Sequence, residues 1–252
     1  MADIVRLGII GGGWPGAAHA RGATSAGGFK ITAVADLIPK RRRKLMDEFN
    51  VAREYADARD LLRDPEIDAV SVCLPTFLHA PIAVAALRGG KHVLCEKPPA
   101  MNAKEARQIE SAASKAGKVV LYAFQRRFGP GEQAARQAVD KGYAGEVYHA
   151  RASWLRTRGI PIGTGWFTEK SKSGGGVLID IGVHMLDIAW YLLGQPRPES
   201  VFGLTHRRFG ALVPHGVTFD VDDAAFAMIK FQGGKSLELA TSWAINQAPA
   251  QN

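Results

Sequence analysis

The chain of 252 residues predicts an α/β protein in two parts: a doubly wound parallel sheet, then an α/β domain on an open, mostly antiparallel sheet. Three features carry that expectation. Up to about residue 125, short apolar runs alternate with segments of helical period, the order of strand–helix–strand units. The first apolar run ends in Gly11-Gly12-Gly13-Trp14-Pro15-Gly16, a G-x-G-x-x-G that passes straight into an alanine-rich segment. Beyond about Arg127, strand-like runs come to follow one another without helices between them, which sets residues 126–252 apart from 1–125 as a second domain.

In chain order, the first strands read at Val5–Ile10, Lys30–Ala35, Ala69–Leu74, Val93–Cys95 and Val119–Phe124. They are largely apolar rather than alternating, as in a parallel sheet covered on both faces. Helices read at Ala17–Ala26, Pro39–Phe49, Ala80–Arg88 and Ala103–Ala116, with Asn102 placed to cap the last and Gly117 to stop it. The second part opens with a helix at Glu132–Lys141 and a strand at Glu146–Leu155. A polar, glycine-rich loop over 156–175 leads to a helix at about Val177–Leu193. Strands follow at Val201–Phe209, Ala224–Phe231 and Ser236–Ile245, and Gly233-Gly234 makes the last two a hairpin. A four-stranded open sheet with an unpaired edge is therefore expected.

Composition narrows the function classes. A hydrophobic share of 46% supports a sizeable core. No run approaches the ~18–20 uninterrupted apolar residues of a membrane span, and the N-terminus lacks the pattern of a signal peptide. Cys73 and Cys95 both lie in apolar runs and read as core thiols of a reducing, cytoplasmic compartment. The net charge of +8 is scattered over Lys40–Lys44, Arg126-Arg127, Arg156, Arg158 and Arg207-Arg208, with no aromatic ladder or zinc motif. Neither nucleic acid nor a membrane is the expected partner; a basic surface suits a small anionic ligand.

The glycine turn points to one. In a strand–turn–helix, Gly11 makes the turn, Gly13 lets the backbone approach a pyrophosphate and Gly16 lets helix and strand pack closely. The helix N-terminus then faces the phosphates. Asp36, twenty residues past Gly16 at the end of an apolar run, stands where an acid would bond the adenosine ribose. A carboxylate there repels a 2′-phosphate, and Leu37 after it supplies no phosphate ligand, so NAD is expected, with NADP as the alternative suggested by the nearby Lys40–Lys44 run. Lys97, in Cys95-Glu96-Lys97-Pro98-Pro99, closes a parallel strand and would point to the crevice, able to stabilise charge on a substrate oxygen. Asp180, His184 and Asp187 fall at i, i+4 and i+7 on an otherwise apolar helix, one polar stripe on which an imidazole beside a carboxylate could act as a general base. One histidine and two acids make a poor ligand set, and no metal is expected.

The ordered series G-x-G-x-x-G-x-x-H, Asp36, Leu74-Pro75-Thr76-Phe77-Leu78-His79, Glu96-Lys97-Pro98 and G-G-G-x-x-x-D-x-G-x-H-x-x-D resembles the glucose–fructose oxidoreductase / inositol dehydrogenase / rhizopine-catabolism (Gfo/Idh/MocA) family from residue 4 to about 245. The resemblance implies a Rossmann domain joined to an open-sheet α/β domain, with pyridine-nucleotide chemistry on the secondary alcohol or ketone of a sugar, sugar acid or cyclic polyol. It implies Lys97, Asp180 and His184 as catalytic residues, and Gly11, Gly13, Trp14, Pro15, Gly16, Asp36, Arg41, Leu74, Pro75, Thr76, His79, Glu96 and Lys97 as the cofactor site. Arg127 and Trp166 would join Asp180 and His184 around the substrate. Members of the family run on through further strands and a returning helix, so a C-terminally truncated second domain is expected, with homo-oligomerisation through that sheet if it is complete. A non-catalytic nucleotide-binding regulator and an inactive remnant are the alternatives the sequence leaves open.

Overall fold

The computed structural model describes residues 4–251, in two compact units that meet in sequence between Ala123 and Phe124. The first unit runs β1 (Val5–Ile10), α1 (Trp14–Ala26), β2 (Phe29–Ala35), α2 (Pro39–Phe49), β3 (Arg53–Tyr55), α3 (Ala58–Arg63), β4 (Ala69–Val72), α4 (His79–Arg88), β5 (His92–Cys95), α5 (Ala103–Ala116) and β6 (Val120–Tyr122). Its six strands lie in the order β3-β2-β1-β4-β5-β6, every neighbouring pair parallel. The order reverses between β1 and β4, and the carboxyl ends of those two strands open the crevice in which such sheets bind ligands.

Successive side chains of β1 and β2 enter different buried clusters. Leu7, Ile9, Ile31 and Val34 pack with Ala17 and Ala20 of α1 and Leu45 of α2, whereas Ile10, Ala33 and Ala35 join the cluster of α3, α4 and α5. This burial on both faces is why the strands are apolar throughout. α5 begins and ends as expected: Asn102 Oδ1 accepts the Glu105 N–H at 3.0 Å, and Gly117 stops the helix at a φ of 61°. β3 and α3 were not expected from the sequence. β3 has three residues, Arg-Glu-Tyr, with no apolar pattern, and takes its strand form from pairing with β2. α3 has only six residues, and its cap is Asp57, which accepts the Arg59 N–H at 2.7 Å.

The second unit runs α6 (Pro130–Asp140), β7 (His149–Leu155), α7 (Lys170–Ser173), a π-helical turn at Leu178–Gly182 that continues into α8 (Val183–Leu192), β8 (Pro198–His206), β9 (Ala224–Phe231), β10 (Ser236–Ser242) and β11 (Ala250–Gln251). Its sheet is ordered β11-β7-β10-β9-β8, with β7 and β10 parallel and the other pairs antiparallel. The sheet therefore has five strands, not the four expected, because Ala250 and Gln251 pair with Leu155 and Trp154 along the edge of β7. The β9–β10 hairpin turns at Gly233 and Gly234, both at positive φ (77° and 74°), as their sequence requires. Met185, Ala189 and Leu193 pack with Ala152, Ile229, Phe231, Leu237 and Leu239 to form the core beneath one face. By length and hydropathy the 170–192 stretch could cross a membrane, but it is the core helix of this unit.

Leu237 is fully buried in that core, and Leu237→Ala is expected to lower unfolding free energy by about 2–5 kcal/mol, read as a drop in the urea midpoint at unchanged slope.

Candidate active site

β1 leaves its sheet at Gly11, where φ is 99° and a Cβ would stand 2.2 Å from the Cys73 carbonyl oxygen. A Cβ on Gly16 would stand 2.0 Å from the carbonyl oxygen of Gly11, so the first turn of α1 rests directly on the end of β1. Gly13 is different. A Cβ there would meet nothing nearer than Pro15 Cδ at 3.6 Å, so the protein's own packing does not keep this position small. The space over Gly13 is what a closely approaching ligand needs. α1 starts at that point with no side-chain cap and no acid in its first turn, leaving the positive end of the helix dipole for an anion. A pyrophosphate fits this cradle. Trp14 stands beside it, 78% exposed, with Pro15 in the first helical turn.

Asp36 closes the other side of the turn. Its Oδ2 accepts the Gly12 N–H at 2.7 Å and its Oδ1 the Ile38 N–H at 2.8 Å, while Arg41 Nη1 lies 3.9 Å from Oδ2. Arg42, read from the sequence as part of an exposed basic run, turns back instead: Nη1 donates to the Asp36 carbonyl at 2.6 Å and Nε to Glu54 at 2.6 Å. The acid is thus fixed before any ribose arrives.

Three other residues expected at the cofactor face inward. His79 is 1% exposed, with Nδ1 2.7 Å from the Pro98 carbonyl and Nε2 2.8 Å from the Leu74 carbonyl. Burial holds its pKa below the ordinary value. Both nitrogens face backbone carbonyl oxygens, and the one that carries the proton donates to its partner, so His79 ties the loop after β4 to the E-K-P stretch from inside. Thr76 is likewise buried, while Leu74, Pro75 and Lys97 are half-buried. Glu96 keeps its carboxylate inside: Oε1 lies 3.2 Å from His19 Nε2, and Oε2 accepts the Lys97 N–H at 3.0 Å. Cys95 is buried, and burial raises its thiol pKa well above the usual range. Cys73, expected as a plain core thiol, is half-buried with Sγ 3.5 Å from His19 Nδ1.

In the second unit, Gly176 lets a distant acid reach the start of the helix. A Cβ there would stand 1.9 Å from the Asp222 carbonyl oxygen. Asp222 accepts the N–H of Gly176 at 2.8 Å and of Leu178 at 3.0 Å, a negative charge at the positive helix end. Asp180 sits in the wide π turn that follows, and its Oδ2 accepts the indole N–H of fully buried Trp243 at 2.9 Å. His184 is 4% exposed, its ring 6.0 Å from that of Trp154. Arg126 and Arg156 flank the same indole at 5.9 and 5.0 Å.

The polar stripe expected along this helix divides here. Asp187 is held by a two-pronged ion pair, Arg127 Nε at 2.7 Å and Nη2 at 2.6 Å, and Arg127 lies over the Tyr191 ring at 5.0 Å. The hydrogen bonds to Asp187 raise the Arg127 pKa above its ordinary value. Arg127, expected at the substrate, therefore directs its fork to Asp187. Trp166 stacks on Phe167 at 3.8 Å. Asp222 and Trp243 escaped the sequence reading. An acid ahead of an apolar strand and a tryptophan after one are visible in the chain, but their partners lie 44 and 63 residues away.

Two contrasts test these assignments. Gly16→Ala should destabilise the protein, whereas Gly13→Ala should leave its thermal midpoint nearly unchanged and weaken NAD binding at least tenfold by calorimetry. Arg127→Ala should lower stability by about 2–3 kcal/mol, because it strands a carboxylate that is 9% exposed, and Arg127→Lys should recover only part of it.

The chain is similar to known proteins over both units. Residues 5–124 match the oxidoreductase family with an NAD-binding Rossmann fold, and residues 133–251 match the GFO/IDH/MocA C-terminal domain. D-glucoside 3-dehydrogenase of Escherichia coli (strain K12) is 38% identical over 250 residues, covering 96% of this chain and 71% of that protein. Myo-inositol 2-dehydrogenase of Thermotoga maritima is 29% identical over 79% of this chain and 57% of its own length. A levoglucosan dehydrogenase solved with NADH and levoglucosan superimposes with a TM-score of 0.87 at 28% identity, over 96% of this chain and 68% of that one. Sheet order, glycine turn and sequence agree: the chain belongs to the GFO/IDH/MocA family of NAD-binding oxidoreductases.

Proposed function

We propose that this oxidoreductase uses NAD to oxidise a secondary alcohol of a sugar, sugar acid or cyclic polyol, and runs the same step in reverse on the ketone. What supports the reading is the presence of Lys97, Asp180 and His184 in the family's order, in a chain whose relatives act on a glucoside, an inositol and levoglucosan. The turn at Gly11–Gly16, with Trp14 and Pro15 beside it, would hold the pyrophosphate, and Asp36, with Arg41 near it, the adenosine ribose. The fixed carboxylate of Asp36 repels a ribose phosphate, which favours NAD over NADP. The backbone of Leu74, Pro75 and Thr76 would line the same crevice.

Bound NAD supplies the hydride acceptor. His184 takes the proton of the substrate hydroxyl, and Lys97 stabilises the negative charge that grows on that oxygen. Asp180, oriented by the Trp243 indole, accepts a substrate hydroxyl and holds its partner groups in line. The protein is read as cytoplasmic, in keeping with its free thiols Cys73 and Cys95. A second copy is the occupant proposed for the outer face of the second sheet. There Phe202 and Leu204 of β8 pair with Met228 and Phe226 of β9, and all four side chains are exposed.

NADH formation with a panel of methyl β-D-glucoside, levoglucosan, myo-inositol and scyllo-inositol tests the activity. Lys97→Ala and His184→Ala should each lower kcat by about 10²–10⁴-fold and leave the Kd for NAD within about twofold. Tight NAD binding with no turnover on any of the four would turn the reading toward a regulator.

A further inference from the structure

His19 lies on α1 one turn beyond Gly16, and nothing in the proposed chemistry uses it. Its ring nevertheless ties three elements of the first unit together. Nδ1 is 2.7 Å from the hydroxyl of Ser71 on β4, a residue fully shut off from solvent. Nε2 is 3.2 Å from Glu96 Oε1, just past the end of β5, with both side chains largely buried at 14% and 17% exposure. Glu96 in turn uses its other oxygen, Oε2, to accept the backbone N–H of Lys97 at 3.0 Å. The helix that carries the nucleotide turn is thus joined through two side chains to the backbone of the lysine.

We propose that His19 is a positioning residue for Lys97: through Glu96 it sets the Lys97 backbone relative to α1, so that the helix holding the pyrophosphate also aims the lysine. The inference rests on Lys97 being the catalytic lysine. As an imidazolium, His19 donates from Nε2 to Glu96 and from Nδ1 to Ser71, so both nitrogens and the carboxylate are satisfied. Burial acts against that charged form, but hydrogen bonds to Cys73 and Glu96 outweigh it and push the His19 pKa up to about 10. Burial likewise opposes ionisation of Glu96, and His19 overcomes it, holding the Glu96 pKa below the ordinary carboxylate value. Around neutral pH the pair is charged and locked. A neutral hydrogen bond in its place would leave the Glu96 oxygens, and with them the Lys97 N–H, less tightly directed.

A pair that merely stabilises the domain would show up in unfolding and affect every variant alike. One that acts through Lys97 would lose its effect once the lysine side chain is gone. The experiment measures kcat with NAD and methyl β-D-glucoside, or whichever panel sugar turns over fastest, by NADH fluorescence over hours. NAD affinity and thermal midpoint are followed in parallel. His19→Ala and Glu96→Gln are expected to lower kcat about tenfold with the Kd for NAD changed less than about twofold. His19→Gln, which keeps an N–H for Glu96, should recover kcat to within about threefold. In the Lys97→Ala background His19→Ala should change the residual rate by less than about twofold. Wild-type kcat in His19→Ala overturns the proposal, and so does an equal loss with and without Lys97. Should His19→Ala fail to fold, Glu96→Gln in the two backgrounds decides the matter by the same comparison. Full turnover in Lys97→Ala alone would instead overturn the reading of the lysine, a result distinct from failure of the pair.

Discussion

The carbonyl oxygen of Gly11 lies where a side chain at position 16 would begin, and the first unit is arranged around that contact. With no Cβ in the way, α1 comes down onto the end of β1 instead of standing off by the width of a methyl group. Several things depend on the short distance. The Gly12 N–H points at Asp36, the helix N-terminus opens over Gly13, and His19 reaches both Ser71 and Glu96. A single added carbon would push the helix away and disturb all three together, since packed interiors do not deform smoothly.

The second unit solves a similar problem with the same parts. Gly176 allows the backbone of Asp222 to pass within what would be bonding distance of a side chain, and the carboxylate then takes the Gly176 and Leu178 N–H groups. In both units an acid from elsewhere in the chain accepts a glycine N–H just ahead of a helix. The difference is in what the acid leaves open. Asp36 takes the N–H groups of Gly12 and Ile38 and leaves the start of α1 uncapped, as a site for phosphate must be. Asp222 caps its helix itself, so that helix begins neutralised and presents side chains, Asp180 and His184, rather than its dipole.

Much of the polar chemistry in this chain is turned inward. Arg127 and Asp187 satisfy each other, His79 joins two backbone segments, and Glu96 answers His19 and the Lys97 N–H. Each is a group whose burial would be costly alone and whose partner makes it tolerable. Their value is geometric. They hold the loops after β4 and β5, and the helix of Asp180 and His184, to fixed positions, which an oxidoreductase needs because misplacement of about 1 Å can cost two orders of magnitude in rate.

The sequence alone determined what repeats along the chain or sits within a few residues of itself. The alternation of apolar runs with helical segments, the glycine turn, the acid at Asp36, the caps of α5 and the hairpin at Gly233-Gly234 are all local, because periodicity, φ preference and short hydrogen bonds act over a few residues. The order of motifs added the family. Tertiary structure decided what depends on partners far apart in the chain. β3 and β11 are strands only because a neighbour offers them an edge, and three- and two-residue runs carry no pattern of their own. The stripe of Asp180, His184 and Asp187 looked like one device because helical spacing places them together. The structure splits it, since Arg127 lies 60 residues before Asp187 and Trp243 lies 63 residues after Asp180. Which polar side chain faces a ligand and which is held by the protein is settled by such distant pairings, and a single sequence records the residues but not the pairs.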